Sequence, residues 1–142
     1  MYVDSRRRRA ALRRFAFGVA LALLVSCSSD QSSTDSLVGV WGGEGIRMTV
    51  GLEGAVIQYD CGTGTIDSAI HPDAVGHFQG AGTFTRGGGP EPVGGRPQQA
   101  TLYQGTVVRG AMELTGTVLE TGQSLGPFNL RQGDNGRLVL CF

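Results

Sequence analysis

The chain has 142 residues, room for one domain of ordinary size. Its formal charge of zero conceals two oppositely charged parts: all twelve basic residues are arginines, six of them lie in the first fourteen positions, and beyond Cys27 six arginines face eleven acids. An acidic body excludes nucleic acid as an expected partner, because phosphate binding needs a basic stripe.

The chain opens with an arginine-rich stretch (residues 6–14) and continues into "FAFGVALALLV" (residues 15–25), apolar and uncharged. Eleven apolar residues are too few for a transmembrane helix, which needs about 20. The pattern is a positive n-region followed by a short h-region, so residues 1–26 are expected to be a signal peptide. The h-region runs into "LVSC", Leu24 to Cys27. This resembles the lipobox of bacterial lipoprotein precursors: a branched apolar residue, a tolerant position, a small residue and a cysteine. The resemblance implies that Cys27 receives a diacylglycerol on sulfur, becomes the mature N-terminus and is acylated on its amine, palmitate being the usual type of chain. Two or three acyl chains hold a protein permanently, since each buried methylene contributes about 0.8 kcal/mol. "RRFAF" (Arg13 to Phe17) is a weaker likeness to a twin-arginine export signal, with Ala16 where that motif has phenylalanine, and general secretion is favoured. The resemblance places the protein in the cell envelope, membrane-anchored by lipid and outside the cytoplasm. Ser28 after the cysteine matches the class sorted to an outer membrane where one exists; otherwise the site is the outer face of the plasma membrane. Residues 28–36 are mostly Ser, Asp, Gln and Thr, which build no core. Residues 27–36 therefore read as acylated cysteine plus tether, nine residues of which reach at most about 30 Å.

From Leu37 onward apolar residues alternate with period two and glycine punctuates the runs; all but one of the 24 glycines follow Cys27. "IRMTV" sets Ile46, Met48 and Val50 against Arg47 and Thr49. "AVIQYDC" puts Ala55, Ile57, Tyr59 and Cys61 on one face. "HFQGAGTFTR" puts Phe78, Gly80, Gly82 and Phe84 on one face, and "AMELTGTVLE" does the same with Met112, Leu114, Gly116 and Val118. "PFNLR" and "RLVLCF" are shorter versions. This is the half-buried antiparallel pattern. Leu52 to Gly54 and Arg109-Gly110 read as turns, and Asn135-Gly136 within "GDNGR" is the best hairpin signal. "GGGPEPVGGRP" (Gly87 to Pro97) reads as a long mobile surface loop. The domain at 37–142 is thus expected to be all-β, a small antiparallel up-and-down barrel of about 7–8 strands, with a β-sandwich as the alternative. "GVW" (Gly39 to Trp41) resembles the G-x-W signature of lipocalins and related barrels. That resemblance implies a tryptophan packed across the closed end.

Setting Cys27 aside leaves Cys61 and Cys141. In an oxidising compartment such a pair is expected to form a disulfide. Two buried free thiols are the alternative. Neither cysteine has a second cysteine or a histidine at ligand spacing, so no metal is expected there.

"HPDAVGH" brings His71, Asp73 and His77 within seven residues, but the spacing suits a turn built on Pro72 and Asp73 better than a zinc set. "CGTGTID" lacks the Lys-Ser/Thr of a phosphate-binding loop. Ser68 and Ser124 sit in no G-x-S-x-G elbow, and Glu44, Asp60 and Asp67 are scattered carboxylates. No enzyme activity, metal or cofactor is expected. The aromatic set Trp41, Tyr59, Phe78, Phe84 and Tyr103 either fills the core or lines a pocket in a barrel barely wide enough for one small ligand. The functional expectation is a lipid-anchored protein with a non-enzymatic domain that binds a small apolar ligand. The alternative is a protein-interaction module of the envelope, an assembly accessory or inhibitor acting through the Gly87–Pro97 loop and the acidic surface.

Overall fold

The computed structural model describes residues 37–139 and 141. The expected signal peptide, the acylation site Cys27 and the tether lie outside the described residues. Eight strands follow in chain order: β1 (Gly39–Gly43), β2 (Ile46–Val50), β3 (Ala55–Tyr59), β4 (Gly62–Ile66), β5 (His77–Arg86), β6 (Gln99–Val108), β7 (Ala111–Val118) and β8 (Ser124–Gln132). Each pairs antiparallel with its sequence neighbour, and β8 returns to β1, so the sheet is a closed barrel and not a sandwich. Closure leaves no strand edge bare along most of the circumference.

Period-two alternation decides what points inward. Ile46, Met48 and Val50 are buried on β2, Ala55, Ile57 and Tyr59 on β3, Phe78 and Phe84 on β5, and Met112, Leu114 and Val118 on β7. Trp41, Ile46, Met48, Ile57, Tyr103, Met112, Leu114, Val118 and Leu130 are each essentially inaccessible, so side chains fill the barrel. One end is closed by Leu37 and by Ile70 of the β4–β5 connection, both buried in the same core as Trp41, whose Nε1 donates to the Leu37 carbonyl at 2.8 Å. The opposite end carries the β1–β2, β3–β4, β5–β6 and β7–β8 connections.

Two strands hide from the alternation pattern. β4 carries Gly62 and Gly64 where branched residues would be expected, because aromatic rings occupy the space a side chain would take. A Cβ on Gly64 would overlap the Tyr103 hydroxyl, and one on Gly62 would come within 2.9 Å of the Phe84 ring. β6 turns Thr101 and Gly105 inward with Tyr103, and Gly105 lies under the Phe78 ring.

β8 contains an irregularity with a clear effect. Leu114 pairs with Phe128 and Gly116 with Leu125, so β8 spends two residues where β7 spends one. Such a bulge shifts side-chain parity. Leu125 and Phe128, on opposite faces of a regular strand, therefore both contribute to the interior.

The C-terminal segment departs from expectation. Asn135-Gly136 does turn, with Gly136 at φ 69° and its N–H donating to Asp134 Oδ1 at 2.8 Å, but the turn joins no pair of strands. "RLVLCF" is not a strand within the described residues; Arg137 makes a single parallel bridge with Glu44. Its N–H donates to Gly43 O at 2.9 Å and its carbonyl accepts from Gly45 at 2.8 Å. The reason is positional: β1 is already flanked by β2 and β8, so this segment runs as a strap over the β1–β2 hairpin. Gly42 faces outward yet is buried, since a Cβ there would strike Gly136 N and the Asp134 carbonyl. Arg47 Nε donates to Asn135 O at 2.5 Å across the strap.

The strap ends in the disulfide Cys61–Cys141, whose Cα atoms are 5.2 Å apart. Cys61 does not share the inward face of Tyr59. It lies exposed in the β3–β4 turn, because β3 ends at Tyr59 and the chain reverses there. Asp60 beside it anchors the strap further, its Oδ1 accepting from Val139 N–H at 2.7 Å.

The Gly87–Pro97 segment is more organised than its composition suggests. Arg96 folds it from within: its guanidinium donates to the carbonyls of Gly88 (2.7 Å), Gly89 (2.8 Å), Pro90 (3.3 Å) and Arg86 (3.3 Å). Glu91 lies 3.7 Å from Arg96 Nε. One side chain thus satisfies several loop carbonyls that glycine and proline leave without local partners.

Candidate functional site: an aromatic depression at the barrel mouth

The end bearing the β3–β4 turn holds a depression of about 490 Å³. Tyr59, Phe84, Leu125 and Phe128 form its apolar surface, and Asp60, Arg86, Gly87 and the Cys61–Cys141 bridge form its rim. Each element contributes for a local reason. Tyr59 is the last inward residue of β3, and Phe84 the last fully buried one of β5. The β8 bulge supplies both Leu125 and Phe128. The rings pack on one another: Phe84 meets Tyr59 edge-on with centroids 5.6 Å apart, and Phe128 lies 5.4 Å from Tyr59 at a tilt of 41°. These are favoured aromatic geometries.

A short hydrogen-bond chain lies beneath. Tyr59 Oη donates to Tyr103 Oη at 3.4 Å, and Tyr103 Oη donates to the Thr83 carbonyl at 2.8 Å. Burial pushes the Tyr59 phenol well above its ordinary pKa, reinforced by the neighbouring Tyr103. Tyr103 is also raised, by burial first and by the Asp67 charge, with the Tyr59 hydrogen bond opposing. Both phenols therefore stay neutral hydrogen-bonding groups at physiological pH.

Of the five aromatic residues picked out in the sequence, Tyr59 and Phe84 line this depression and Tyr103 supports it from below. Trp41 and Phe78 do not belong to it: Trp41 packs by Leu37 at the closed end, and the Phe78 ring lies against Gly105 near the start of β5. Phe128 and Leu125 belong to the site but were not marked by the pattern. The signal was present in "SLGPFNL", where a Gly-Pro pair between two apolar residues of opposite parity betrays a bulge.

"HPDAVGH" forms a turn. Asp73 Oδ1 accepts from the N–H groups of Val75 (3.0 Å) and His77 (2.9 Å), and the hydrogen bond from His77 chiefly holds the Asp73 carboxyl below its usual range. His77 Nδ1 lies 2.7 Å from Thr106 Oγ1 on the neighbouring strand. Among the described residues no group of three or more His, Cys, Asp or Glu is placed to hold a metal ion.

Fold and site together define a small antiparallel eight-stranded β-barrel with a filled interior and an aromatic mouth. No protein-family model, curated protein or solved structure matches the chain.

Proposed function

We propose that the chain is a lipid-anchored lipoprotein of the cell envelope, attached through acylated Cys27, whose lipocalin-like barrel is a non-enzymatic binding module for a small apolar ligand. The observation that carries the binding reading is the mouth depression, where Tyr59, Phe84, Leu125 and Phe128 present apolar surface above an interior already filled by Trp41, Met48, Ile57 and Leu130. Ligand sites are concave and mostly apolar with a few placed polar groups, and this depression has that character. Because the barrel is filled, the ligand sits at the mouth and only a small group fits. The anchoring half of the reading rests on the "LVSC" motif and its flanks, and is supported by the disulfide pairing of Cys61 with Cys141, since such bonds persist in oxidising compartments.

The test has two arms. Mass spectrometry of the N-terminal peptide from native membranes is expected to show Cys27 bearing diacylglycerol; an intact, unmodified residue 1–27 segment refutes the anchor. A small hydrophobic dye is expected to bind the purified chain and to be displaced on Phe128→Ala substitution; absence of binding refutes the ligand.

A second reading, a protein-interaction module, is favoured by one feature. Val93 is fully exposed at the tip of a loop whose base Arg96 holds in shape. A fixed loop with an apolar tip suits insertion into a partner protein. Retrieval of envelope partners by the intact chain, and their loss on deleting Pro90–Gly95, distinguishes this reading.

A further inference from the structure

The rim of the mouth carries one basic group with nothing to hold. Arg86 shares the inward parity of Phe78 and Phe84 on β5, so it stands directly above Phe84 where the strand leaves the barrel. Its cross-strand partner is Gly62 and its successor is Gly87, neither of which has a side chain to shade it. Among the described residues no carboxylate pairs with it. Neighbouring charges are already engaged: Arg96 by loop carbonyls and Glu91, and Asp60 by the Val139 N–H. In a domain with an excess of acids, an unengaged arginine over an aromatic depression is a selective feature.

We propose that the mouth takes an amphipathic carboxylate, its aromatic or aliphatic body against Tyr59, Phe84 and Phe128 and its head group held by the Arg86 guanidinium. This rests on the binding reading above and specifies the chemical class of the ligand. The guanidinium fork matches a carboxylate with two parallel hydrogen bonds. The Asp60 carboxylate on the same rim disfavours a doubly charged head, which selects carboxylate over phosphate monoester. The depression's volume of about 490 Å³ accommodates a single ring with a short chain.

The experiment compares 4-phenylbutyrate with 4-phenylbutan-1-ol, binding each to the full chain by calorimetry at low and moderate salt. The acid is expected to bind about five- to tenfold more tightly than the alcohol, with the advantage shrinking as salt rises. Arg86→Gln is expected to remove that advantage, and Arg86→Lys to keep part of it. Unchanged Trp41 fluorescence verifies that each variant is folded. Equal affinity of acid and alcohol for the unaltered chain, or an acid preference that survives Arg86→Gln, overturns the assignment of the head group while leaving an apolar mouth intact. Failure of both compounds to bind overturns the binding reading itself and this inference with it.

Discussion

Gly64→Ala is a small substitution with a large expected cost, and its partner is known. The new methyl would lie in the space of the Tyr103 hydroxyl, 2.9 Å from the Thr83 carbonyl oxygen and 3.4 Å from the Tyr59 ring. Tyr103 is fully buried and hydrogen-bonded to that same carbonyl at 2.8 Å, so it cannot swing away without losing its acceptor. Overpacking of a tight core costs about 1–3 kcal/mol. A buried hydroxyl driven from its acceptor adds about 1–3 kcal/mol. The sum is about 2–6 kcal/mol, or a fall in melting temperature of about 8–24 °C at roughly 4 °C per kcal/mol for a domain of this size. Tyr103→Phe alone loses a hydrogen bond worth about 1 kcal/mol. In the double variant the clash with the hydroxyl is gone while the 2.9 Å approach to the Thr83 carbonyl remains, so Gly64→Ala should cost about 1–3 kcal/mol less there than in the unaltered chain. The two changes should then couple by about 1–3 kcal/mol, as expected for groups in contact. Urea unfolding followed by the fluorescence of Trp41, the chain's single tryptophan, measures all four corners of the cycle. A Gly64→Ala cost that is the same with or without the Tyr103 hydroxyl would refute the packing argument.

Three further outcomes are expected. Replacing Cys61 and Cys141 with serine should lower stability by about 2–5 kcal/mol, since the bridge closes a loop of 80 residues; urea midpoints in matched oxidised and mutant proteins check this. Gly42→Val should dislodge the strap and leave the barrel folded, seen as faster hydrogen exchange at 136–139 and new tryptic cleavage after Arg137; unchanged protection of those amides would contradict the close approach at Gly42. Alkaline titration should unfold the protein. The Tyr59 and Tyr103 phenols are raised in the fold, so the native state keeps protons that the unfolded chain releases near pH 10. Their contribution is complete below that pH and is lost as pH rises through the folded values. Phenolate absorbance from two of the three tyrosines should therefore appear only together with the unfolding signal of Trp41.

Much of the fold can be read from the chain because alternation in a half-buried strand is nearly digital. Ile46, Met48 and Val50, or Met112, Leu114 and Val118, mark a face without reference to the rest of the molecule. What escapes the pattern is set by distant partners. β4 looks like a glycine-rich loop until the Tyr103 and Phe84 rings that need its missing side chains come from strands 20 to 40 residues away. Leu125 and Phe128 meet only because of the bulge opposite Leu114 and Gly116. The "GDNGR" turn has the right local chemistry for a hairpin, but β1 has no free flank for a ninth strand, and topology overrides the dipeptide. The Gly87–Pro97 segment carries loop composition, while the side chain that shapes it is one arginine whose role no composition measure reveals. The candidate site shows the same division. Tyr59, Phe84 and Tyr103 are legible as inward aromatics, but which end of the barrel they occupy, and that Trp41 and Phe78 lie elsewhere, follows only from the three-dimensional register.

Every strand but one can dock on the strand just before it as the polypeptide emerges, a succession of fast local steps. The exception is the seam, where only Trp41 meets Gln132 and Gly42 meets Arg131. That seam must wait until nearly the whole domain has appeared, and the sulfur that fastens the strap across it arrives later still, at Cys141. Oxidation is thus the finishing step of assembly, recording that the cylinder has already closed.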